Sequence, residues 1–371
     1  MEKIKTGIIG TGKVAHLHAA GLMNLAESEF TAVCNANFAG AQTFAEQYRV
    51  EAFSDVAEMV QNAGVQAVTI CTPHPLHAEP AIKAARAGAH VIVEKPLAAS
   101  LTDCDAMIRA AQEAGVKLAM ISQRRLYAPV QRIKQALDDG KLGQPVLGTV
   151  NMFGWRDRAY YESNPWRGTW QGEGGGVLVN QAPHQLDILQ WLMGPVEELS
   201  GYWANLNHPY IEVDDTAVAV IRFKSGALGN IVVSNSQNPA IYGKVTLYGK
   251  NGATVSVQTD GGAMFIPGIS TIEEPPVNDL WTVPGESDLL EKWRQEDTEF
   301  FSRIDATKHY HQLQLRDFLS AIIEDREPMV TGEEGRKTVE LFTALYRSQR
   351  DRRAIEFPLA GEEPAVNRSV R

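Results

Sequence analysis

A glycine-rich turn directly after the first apolar run constrains this chain more than any other feature. Gly10, Gly12 and Ala15 follow residues 4–9 with the spacing G-x-G-x-x-A. The first glycine permits a tight turn, the second lets the backbone approach a pyrophosphate, and the small third residue allows close helix–strand packing. The next helix would point its free N–H groups at the phosphates. The turn, with Lys13 and Val14, therefore predicts dinucleotide binding, with a plain tight turn as the alternative.

The first 122 residues alternate between two hydrophobic periods. Runs typical of buried strands occur at 4–9, 30–34, 66–71, 90–93 and 117–121. Helical patterns separate them at 14–25, 40–48, 55–62, 77–87 and 101–114. Strands and helices at this spacing imply right-handed crossovers and a parallel sheet covered on both faces. We therefore predict an α/β, doubly wound (Rossmann) domain over residues 1–124.

The pattern changes after residue 124. A helix near 128–139, a strand near 146–154 and a helix over 177–193 are followed by alternating runs over 196–267, and Pro183 predicts a kink or internal stop. Residues 268–300 look irregular, and two amphipathic helices follow near 308–325 and 333–349. We predict a second, α+β domain with an antiparallel sheet over residues 125–360, and a loose tail at 361–371.

Composition excludes several classes of protein. The chain has 371 residues and a net charge of −10, which argues against nucleic acid or an anionic membrane as partner. Cys34, Cys71 and Cys104 fit no metal or redox spacing, and no H-E-x-x-H motif is present, so we expect no metal. No apolar run approaches the roughly 20 residues that span a bilayer. We expect a cytoplasmic protein with reduced thiols.

Asn35 lies about 20 residues after the glycine turn, where a dinucleotide-binding domain commonly has an acid that binds ribose. Its amide can bond a ribose hydroxyl, and no nearby Arg or Lys offers a partner for a 2′-phosphate. We therefore predict NAD rather than NADP, although simple turn chemistry also explains the asparagine. Thr72, Pro73 and His77 follow the fourth run, at the sheet edge where such folds bind ligands.

The fifth run ends in Glu94, Lys95 and Pro96. A buried Glu–Lys pair is a poor device for stability alone, because desolvation offsets most of the attraction. A lysine at the mouth of a cofactor cleft can stabilise the alkoxide that forms as a hydride leaves. Glu94 would orient the lysine or bond the cofactor ribose. A surface lysine beside a loop proline is the alternative.

Several motifs in order resemble the glucose-fructose oxidoreductase, inositol dehydrogenase and rhizopine-catabolism (Gfo/Idh/MocA) family. They span about residues 3 to 358 and read "GIIGTGKVAHLHAAGL", "CTPHPLHAE", "EKPLAAS", "GEGGGVLVNQAPHQLDILQWLMGP" and "EPMVTGEEGRKTVELFTALYRS". The resemblance implies a Rossmann domain joined to a domain with a large open antiparallel sheet. It further implies a homo-oligomer, dimer or tetramer, and makes Lys95 the catalytic lysine.

Asn180, His184 and Asp187 are spaced i, i+4 and i+7, which places them on one face of a helix. Members of the family use an Asp and a His four residues apart beside the lysine. His184 matches that His, and Asn180 occupies the Asp position. Because asparagine cannot ionise, we expect His184 to rely on Asp187, or Asn180 only to orient a hydroxyl.

The loop "AYYESNPWRGTW" supplies further candidates. Trp166 and Tyr160 offer apolar planes for sugar faces, with Trp166 also beside the cofactor, and Arg167 can bond hydroxyls or a carboxamide. Ordinary loop anchoring explains the aromatics equally well. Arg124 follows the sixth run, near the predicted cofactor cleft. His311 is a candidate for substrate contact from the helix near 308–325.

These features together predict an NAD-dependent oxidoreductase that oxidises a secondary ring hydroxyl of a sugar, glycoside or cyclic polyol. Lys95 polarises the oxygen, His184 takes the proton, and the resemblance suggests a sugar C3 hydroxyl as one version. Two alternatives stay open. One is a redox-neutral glycosidase that oxidises, eliminates and reduces again on held NAD, and the other is a non-catalytic NAD-sensing protein.

Overall fold

The computed structural model describes residues 3–260 and 274–360, which form two compact units. The first unit contains the residues up to Gln123 together with Thr307–Val339, and the second contains Arg124–Ala306 and Glu340–Ala360. The predicted tail at 361–371 and residues 261–267 of the predicted sheet lie outside the described residues.

The first unit is built on a parallel six-stranded sheet. Its strands are β1 (Ile4–Ile9), β2 (Ser28–Cys34), β3 (Glu51–Phe53), β4 (Ala67–Ile70), β5 (His90–Val93) and β6 (Leu118–Met120). They pair in the order β3-β2-β1-β4-β5-β6. The strand order reverses between β1 and β4, and dinucleotides bind at such a switch point. The predicted doubly wound fold is confirmed, with the short β3 added.

Five helices connect these strands. They are α1 (Lys13–Met23), α2 (Phe38–Tyr48), α3 (Val56–Asn62), α4 (Ala78–Arg86) and α5 (Leu101–Ala114). Side chains of Asn37, Asp55 and Ser100 cap the N-termini of α2, α3 and α5. Helix α1 starts after Gly12, and no side chain of the described residues caps it. Its first N–H groups are therefore available to a bound group.

The second unit contains an eight-stranded sheet. Its strands are β7 (Pro145–Phe153), β8 (Val196–Ala204), β9 (Thr216–Phe223), β10 (Leu228–Ser234), β11 (Tyr242–Gly249), β12 (Thr254–Asp260), β13 (Val277–Trp281) and β14 (Ile355–Glu356). Their order is β13-β12-β11-β7-β10-β9-β8-β14. Strand β7 separates β10 from β11 and pairs in parallel with β10, whereas the other pairs are antiparallel. The predicted large sheet is thus confirmed, with one parallel pair.

The remaining helices follow in chain order. They are α6 (Ala128–Asp138), α7 (Arg158–Glu162), α8 (Trp170–Glu173), a π-helical turn at Val177–Gln181, α9 (Pro183–Met193), α10 (Leu289–Phe301), α11 (Ala306–Ile323) and α12 (Gly332–Asp351). Helix α9 packs closely on the sheet, since a Cβ at Gly148 would lie 2.8 Å from Met193 Cγ. Residues 268–273 of the segment predicted to be irregular lie outside the described residues. Over 274–300 that prediction was wrong, because β13 and all but the last residue of α10 lie there.

Helix α11 belongs to the first unit, although the sequence placed residues 125–360 in one domain. Its apolar residues Leu315, Phe318 and Leu319 are buried in one core cluster with residues of β1 and α1. The chain therefore leaves the first unit after β6 and returns to complete its core. This return brings His311, far along the sequence, into the unit that carries the glycine turn.

Two findings complete the description of the fold. No helix in the described part of the chain is both long enough and apolar enough to cross a membrane. Cys34, Cys71 and Cys104 are buried free thiols, as the sequence suggested.

Candidate active site

The glycine turn has the geometry that a dinucleotide requires. Gly10 has a φ of +96°, and a Cβ there would lie 2.8 Å from the carbonyl carbon of Cys71, so only glycine fits. At Gly12, by contrast, no atom of the described residues lies within 4 Å of the place that a Cβ would take. Open space above the uncapped end of α1 suits a pyrophosphate. The residues present therefore fit NAD.

Three predicted cofactor residues surround this turn. Lys13 is exposed at the first position of α1, and Val14 packs its side chain against the core cluster. Asn35 donates its Nδ2 hydrogen bond to Thr11 Oγ1 in the turn and accepts a bond from the Asn37 amide at 3.2 Å. The turn chemistry considered for Asn35 is thus present, and its contact with ribose stays a prediction.

The residues after β4 are tied to those after β5. Thr72 donates from its hydroxyl to the Leu76 carbonyl at 2.8 Å, and Pro73 is half-buried. His77 is fully buried, with Nε2 lying 2.9 Å from the Thr72 carbonyl and Nδ1 lying 2.9 Å from the Pro96 carbonyl. Burial lowers the pKa of His77. The predicted direct contact of His77 with a cofactor stays a prediction, and its visible role is to join two loops.

Glu94 lies at the end of β5 and is 7% exposed. His18 of α1 donates from Nε2 to Glu94 Oε1 at 2.7 Å, and His311 Nε2 of α11 lies 3.5 Å from the same oxygen. Burial by itself would raise the pKa of Glu94, but the hydrogen bonds from the two histidines outweigh it and hold that pKa well below its usual range. Glu94 is therefore a buried, ionised carboxylate.

Lys95 is half-buried and follows Glu94 at the carboxyl end of the sheet. Its backbone N–H donates to Glu94 Oε2 at 3.2 Å. The two charged residues of the predicted motif are thus joined through the main chain. The carboxylate fixes the peptide from which the lysine side chain starts.

His18, Glu94 and His311 could in principle bind a metal ion. Each offers one potential ligand atom, and these three atoms lie within 4.8 Å of one another. The 2.7 Å contact between His18 and Glu94 has the length of a strong hydrogen bond. A nitrogen that carries a proton cannot coordinate a metal ion, because metal binding requires neutral, deprotonated imidazole. The absence of a metal stays a prediction.

His311 was a candidate for substrate contact. The structure buries it to 4% exposure, and its Nδ1 donates to the Thr307 carbonyl at 2.7 Å. Both ring nitrogens therefore face protein groups. This placement differs from the direct contact that the sequence suggested.

In the second unit the predicted helix over 177–193 is interrupted. Asn180 lies in the π-helical turn, which the Ala182 amide closes onto the Val177 carbonyl at 2.9 Å. Pro183 begins α9, because proline lacks an N–H but fits the first helical position. The predicted stop at Pro183 is confirmed. The regular helix assumed for Asn180, His184 and Asp187 is thus interrupted between Asn180 and His184, and their common face stays a prediction.

His184 and Asp187 both lie on α9 and are buried. Asp187 accepts two hydrogen bonds from Arg125, at 2.8 Å from Nε and 2.7 Å from Nη2. Arg125 is itself 1% exposed, so the two form a fully buried bidentate ion pair. The sequence analysis missed this basic partner of Asp187, although Arg125 directly follows the predicted cofactor residue Arg124. The neighbouring Arg124 donates to Thr259 Oγ1 at 3.3 Å.

The aromatic loop forms one polar cluster around the Tyr160 hydroxyl. That oxygen accepts hydrogen bonds from Arg167, from Asn180 Nδ2 at 3.1 Å and from Gln181 at 3.1 Å. The Arg167 guanidinium lies 4.2 Å from the Tyr160 ring centroid and 4.5 Å from that of Trp166. Three predicted substrate residues, Tyr160, Arg167 and Asn180, are thus brought together.

Glu173 completes this cluster and was not predicted. It is 1% exposed, accepts the Gly168 amide hydrogen bond at 2.6 Å and accepts a short hydrogen bond from Asn180 Nδ2. Burial raises its pKa to about 7, despite these bonds and the charge of Arg167. The amide of Asn180 therefore contacts a carboxyl group that exchanges its proton near neutral pH.

Comparisons with known proteins decide the family. Residues 4–122 match the family described as "Oxidoreductase family, NAD-binding Rossmann fold", and residues 134–357 match its C-terminal alpha/beta domain. The chain belongs to the Gfo/Idh/MocA oxidoreductase family. The predicted family, oxidoreductase class and NAD cofactor are confirmed.

Individual members of the family resemble the chain over most of its length. Myo-inositol 2-dehydrogenase of Thermotoga maritima is 27% identical, over 95% of this chain and 98% of that protein. The scyllo-inositol 2-dehydrogenase (NAD(+)) of Bacillus subtilis is 24% identical, over 94% and 95%. The WlbA dehydrogenase from Bordetella pertussis, whose crystal structure was determined in complex with NADH and UDP-GlcNAcA, is 32% identical in sequence. The two structures match with a TM-score of 0.82, over 97% of this chain and 100% of that chain.

Two groups that this Gfo/Idh/MocA member places beside predicted residues escaped sequence reasoning. His18 lies eight residues after Gly10, in the run already read as the start of α1. Glu173 stands directly before the glycines of "GEGGG", a position that marked it as part of a special turn. Neither residue shows its burial in the sequence, because burial depends on which elements pack together.

Proposed function

We propose that this member of the family is an NAD-dependent dehydrogenase that oxidises a secondary ring hydroxyl of a sugar, glycoside or cyclic polyol. One observation carries the proposal. Lys95 directly follows a buried, ionised Glu94 at the carboxyl end of a sheet whose glycine turn fits NAD. Catalytic groups of such folds occupy that edge.

The chemistry divides among four side chains. When bound, NAD supplies the acceptor for the hydride that leaves the ring carbon. Lys95 donates to the hydroxyl oxygen and stabilises the negative charge that develops there. His184 accepts the hydroxyl proton as general base. Asn180 orients the substrate, and Asp187, paired with Arg125, holds the helix that carries His184.

Relatives and aromatic groups support the substrate class. Two relatives are inositol dehydrogenases by name, and the WlbA structure holds a UDP-linked sugar acid. Tyr160 and Trp166 provide apolar planes, and Arg167 provides donors, as ring faces and hydroxyls require. A sugar C3 hydroxyl is the version that we propose for glycosides, with NAD preferred over NADP because Asn35 has no basic neighbour.

We further propose that the protein assembles as a homodimer or homotetramer in the cytoplasm. Tyr202, Val218, Val220 and Leu228 lie on one face of the large sheet and are 41–72% exposed. An apolar patch of this kind is typical of an interface. Light scattering on Val220→Lys and on wild type, with molar mass as the readout, tests whether this patch is buried in an oligomer. The three buried thiols suit a reducing compartment.

Absorbance at 340 nm tests the activity directly. The protein is mixed with excess NAD and with inositols, free sugars, aryl glycosides or UDP-N-acetylglucosaminuronic acid. Growth of NADH with one class supports the proposal and names its substrate group. A flat trace with release of aglycone would replace it with the redox-neutral glycosidase. A flat trace throughout, with tight NAD binding, would contradict turnover of these classes and favour the sensing role.

A further inference from the structure

Three separate elements of the first unit enclose one carboxylate. His18 comes from α1, Glu94 from the end of β5 and His311 from α11. None of the three is more than 7% exposed. A buried cluster of this kind adds little to stability, because the free-energy cost of desolvation offsets much of the free energy gained from the contacts. Glu94 directly precedes Lys95, and this position suggests a second reason for the cluster.

The hydrogen-bond partners of the ring nitrogens distinguish the two imidazoles. Within the described residues, His18 Nδ1 is buried and has no hydrogen-bond partner. An orphaned buried N–H is rarer than an orphaned acceptor, so Nδ1 holds the lone pair and Nε2 carries the proton that Glu94 accepts. His311 Nδ1 donates to the Thr307 carbonyl at 2.7 Å, and His311 Nε2 lies 3.5 Å from Glu94 Oε1.

Other titratable groups near Glu94 are Cys71, His77 and the directly following Lys95. Burial raises the pKa of the Cys71 thiol well above its usual value and lowers that of His77. The two histidines, with the Lys95 amide on Oε2, are the groups that hold the carboxylate in place.

We propose that His18 and His311 are positioning residues for Lys95. They hold the Glu94 carboxylate ionised and oriented, so that its second oxygen fixes the Glu94–Lys95 peptide and the origin of the lysine side chain. The inference rests on the proposed catalytic role of Lys95, because that role is what gives the fixed peptide a use.

Amide hydrogen exchange at Lys95, measured by NMR on the full chain, tests the arrangement. In His18→Asn the side chain ends near the old Nδ1 and cannot reach Glu94, whereas in His18→Gln the amide nitrogen takes the place of Nε2. We expect His18→Asn to speed exchange of the Lys95 amide about tenfold or more, and His18→Gln to restore most of the protection. His16→Asn, on the same helix, is the matched control.

Two further readouts guard against a purely structural effect. The Val91 amide of β5 donates to the Lys117 carbonyl, and the Ile121 amide donates to the Val93 carbonyl of β5. The exchange of these two amides should not change in any variant that keeps the fold. Nitrogen-15 spectra of the histidine rings should show His18 protonated at Nε2, unchanged by EDTA or by added Zn²⁺. Equal exchange at Lys95 in the Asn and Gln variants, a His18 proton on Nδ1, or a shift of the His18 signals with Zn²⁺ would overturn the inference.

This test needs no substrate, so its failure is separate from failure of the proposed function. If Lys95→Met keeps full turnover, the catalytic role fails whatever the exchange data show. If Lys95→Met loses turnover while substitution of Glu94 or His18 leaves exchange of the Lys95 amide unchanged, only the positioning role fails.

Discussion

Glu94 in the first unit and Glu173 in the second are buried carboxyl groups beside predicted site residues, and their pKa values are shifted in opposite directions. Glu94 in the first unit contacts two imidazoles and has its pKa held well below the usual range. Glu173 in the second unit is at least as buried, and it accepts hydrogen bonds from the neutral amides of Gly168 and Asn180. Its pKa is raised to about 7.

The comparison shows that burial alone does not decide the charge of a carboxyl group. Desolvation raises the pKa in both cases. At Glu94 the hydrogen bonds from two imidazoles reverse the shift, whereas at Glu173 desolvation outweighs the hydrogen bonds and the charge of Arg167. A fixed anion beside Lys95 suits the positioning of a cation, whereas a carboxyl group that titrates near neutrality suits proton exchange beside Asn180.

The largest expected effect distinguishes Lys95, which follows Glu94, from Asn180, which contacts Glu173. Lys95→Met should lower kcat by about a thousandfold while NAD still binds, because the developing alkoxide loses its donor. Asn180→Ala should lower kcat by only about tenfold, because it removes orientation rather than charge. Steady-state kinetics at saturating NAD measures both. Lys83→Met, an exposed lysine on α4, is the control, and equal losses in the two variants would undo this distinction.

Glu94→Gln should destabilise the first unit by about 4 kcal/mol, because one partner of a buried charged cluster is neutralised while the histidines stay buried. Urea unfolding at pH 7 gives the free energy of unfolding. Glu79→Gln, at an exposed glutamate of the same unit, should leave it unchanged. A Glu94→Gln protein as stable as wild type would mean that Glu94 is already neutral.

Glu173→Gln should change how stability depends on pH. Because the folded pKa lies above the unfolded value, the folded protein binds the extra proton between about pH 4.5 and 7, and stability falls as pH rises through that window. The loss amounts to about 3 kcal/mol. Urea unfolding at pH 5 and pH 8 should show a smaller loss in Glu173→Gln than in wild type. The exposed Glu162→Gln should behave as wild type, and an unchanged loss in Glu173→Gln would contradict the raised pKa.

Asn35→Asp introduces a carboxylate at the glycine turn, and its effect should be the smallest. The negative charge repels a 2′-phosphate, so the preference for NAD over NADP should rise about fivefold to tenfold. The ratio of kcat/KM for the two cofactors measures it. If wild type already prefers NADP strongly, the charge argument at Asn35 is wrong.

Local signals were enough for five of the six strands in the sheet of the first unit. The glycine turn and the alternation of strand and helix predicted β1, β2, β4, β5 and β6 to within two residues at each end. The three-residue β3 was missed because so short a strand has no period. In the second unit Pro183 signalled the break before α9, whereas nothing local indicated the parallel pairing of β7 with β10, which depends on the order of strands far apart in sequence.

The candidate site divides in the same way. Lys95 and His184 could be named because motifs surround them. The partners that decide charge could not: His311 reaches Glu94 only because α11 returns to the first unit, and Glu173 meets Asn180 only because α8 and the π-helical turn fold together. Long-range packing assigns those neighbours, so a single sequence shows the side chain but not its charge state.

Carbon-13 NMR of side-chain carboxyls, on protein labelled at glutamate and titrated from pH 4 to pH 9, tests the central comparison most directly. Glu94→Gln and Glu173→Gln assign the two signals. The account predicts that the Glu94 signal stays that of a carboxylate throughout, while the Glu173 signal shifts with a midpoint near pH 7. Two signals that titrate together, or a Glu173 signal that is ionised at pH 5, would contradict it.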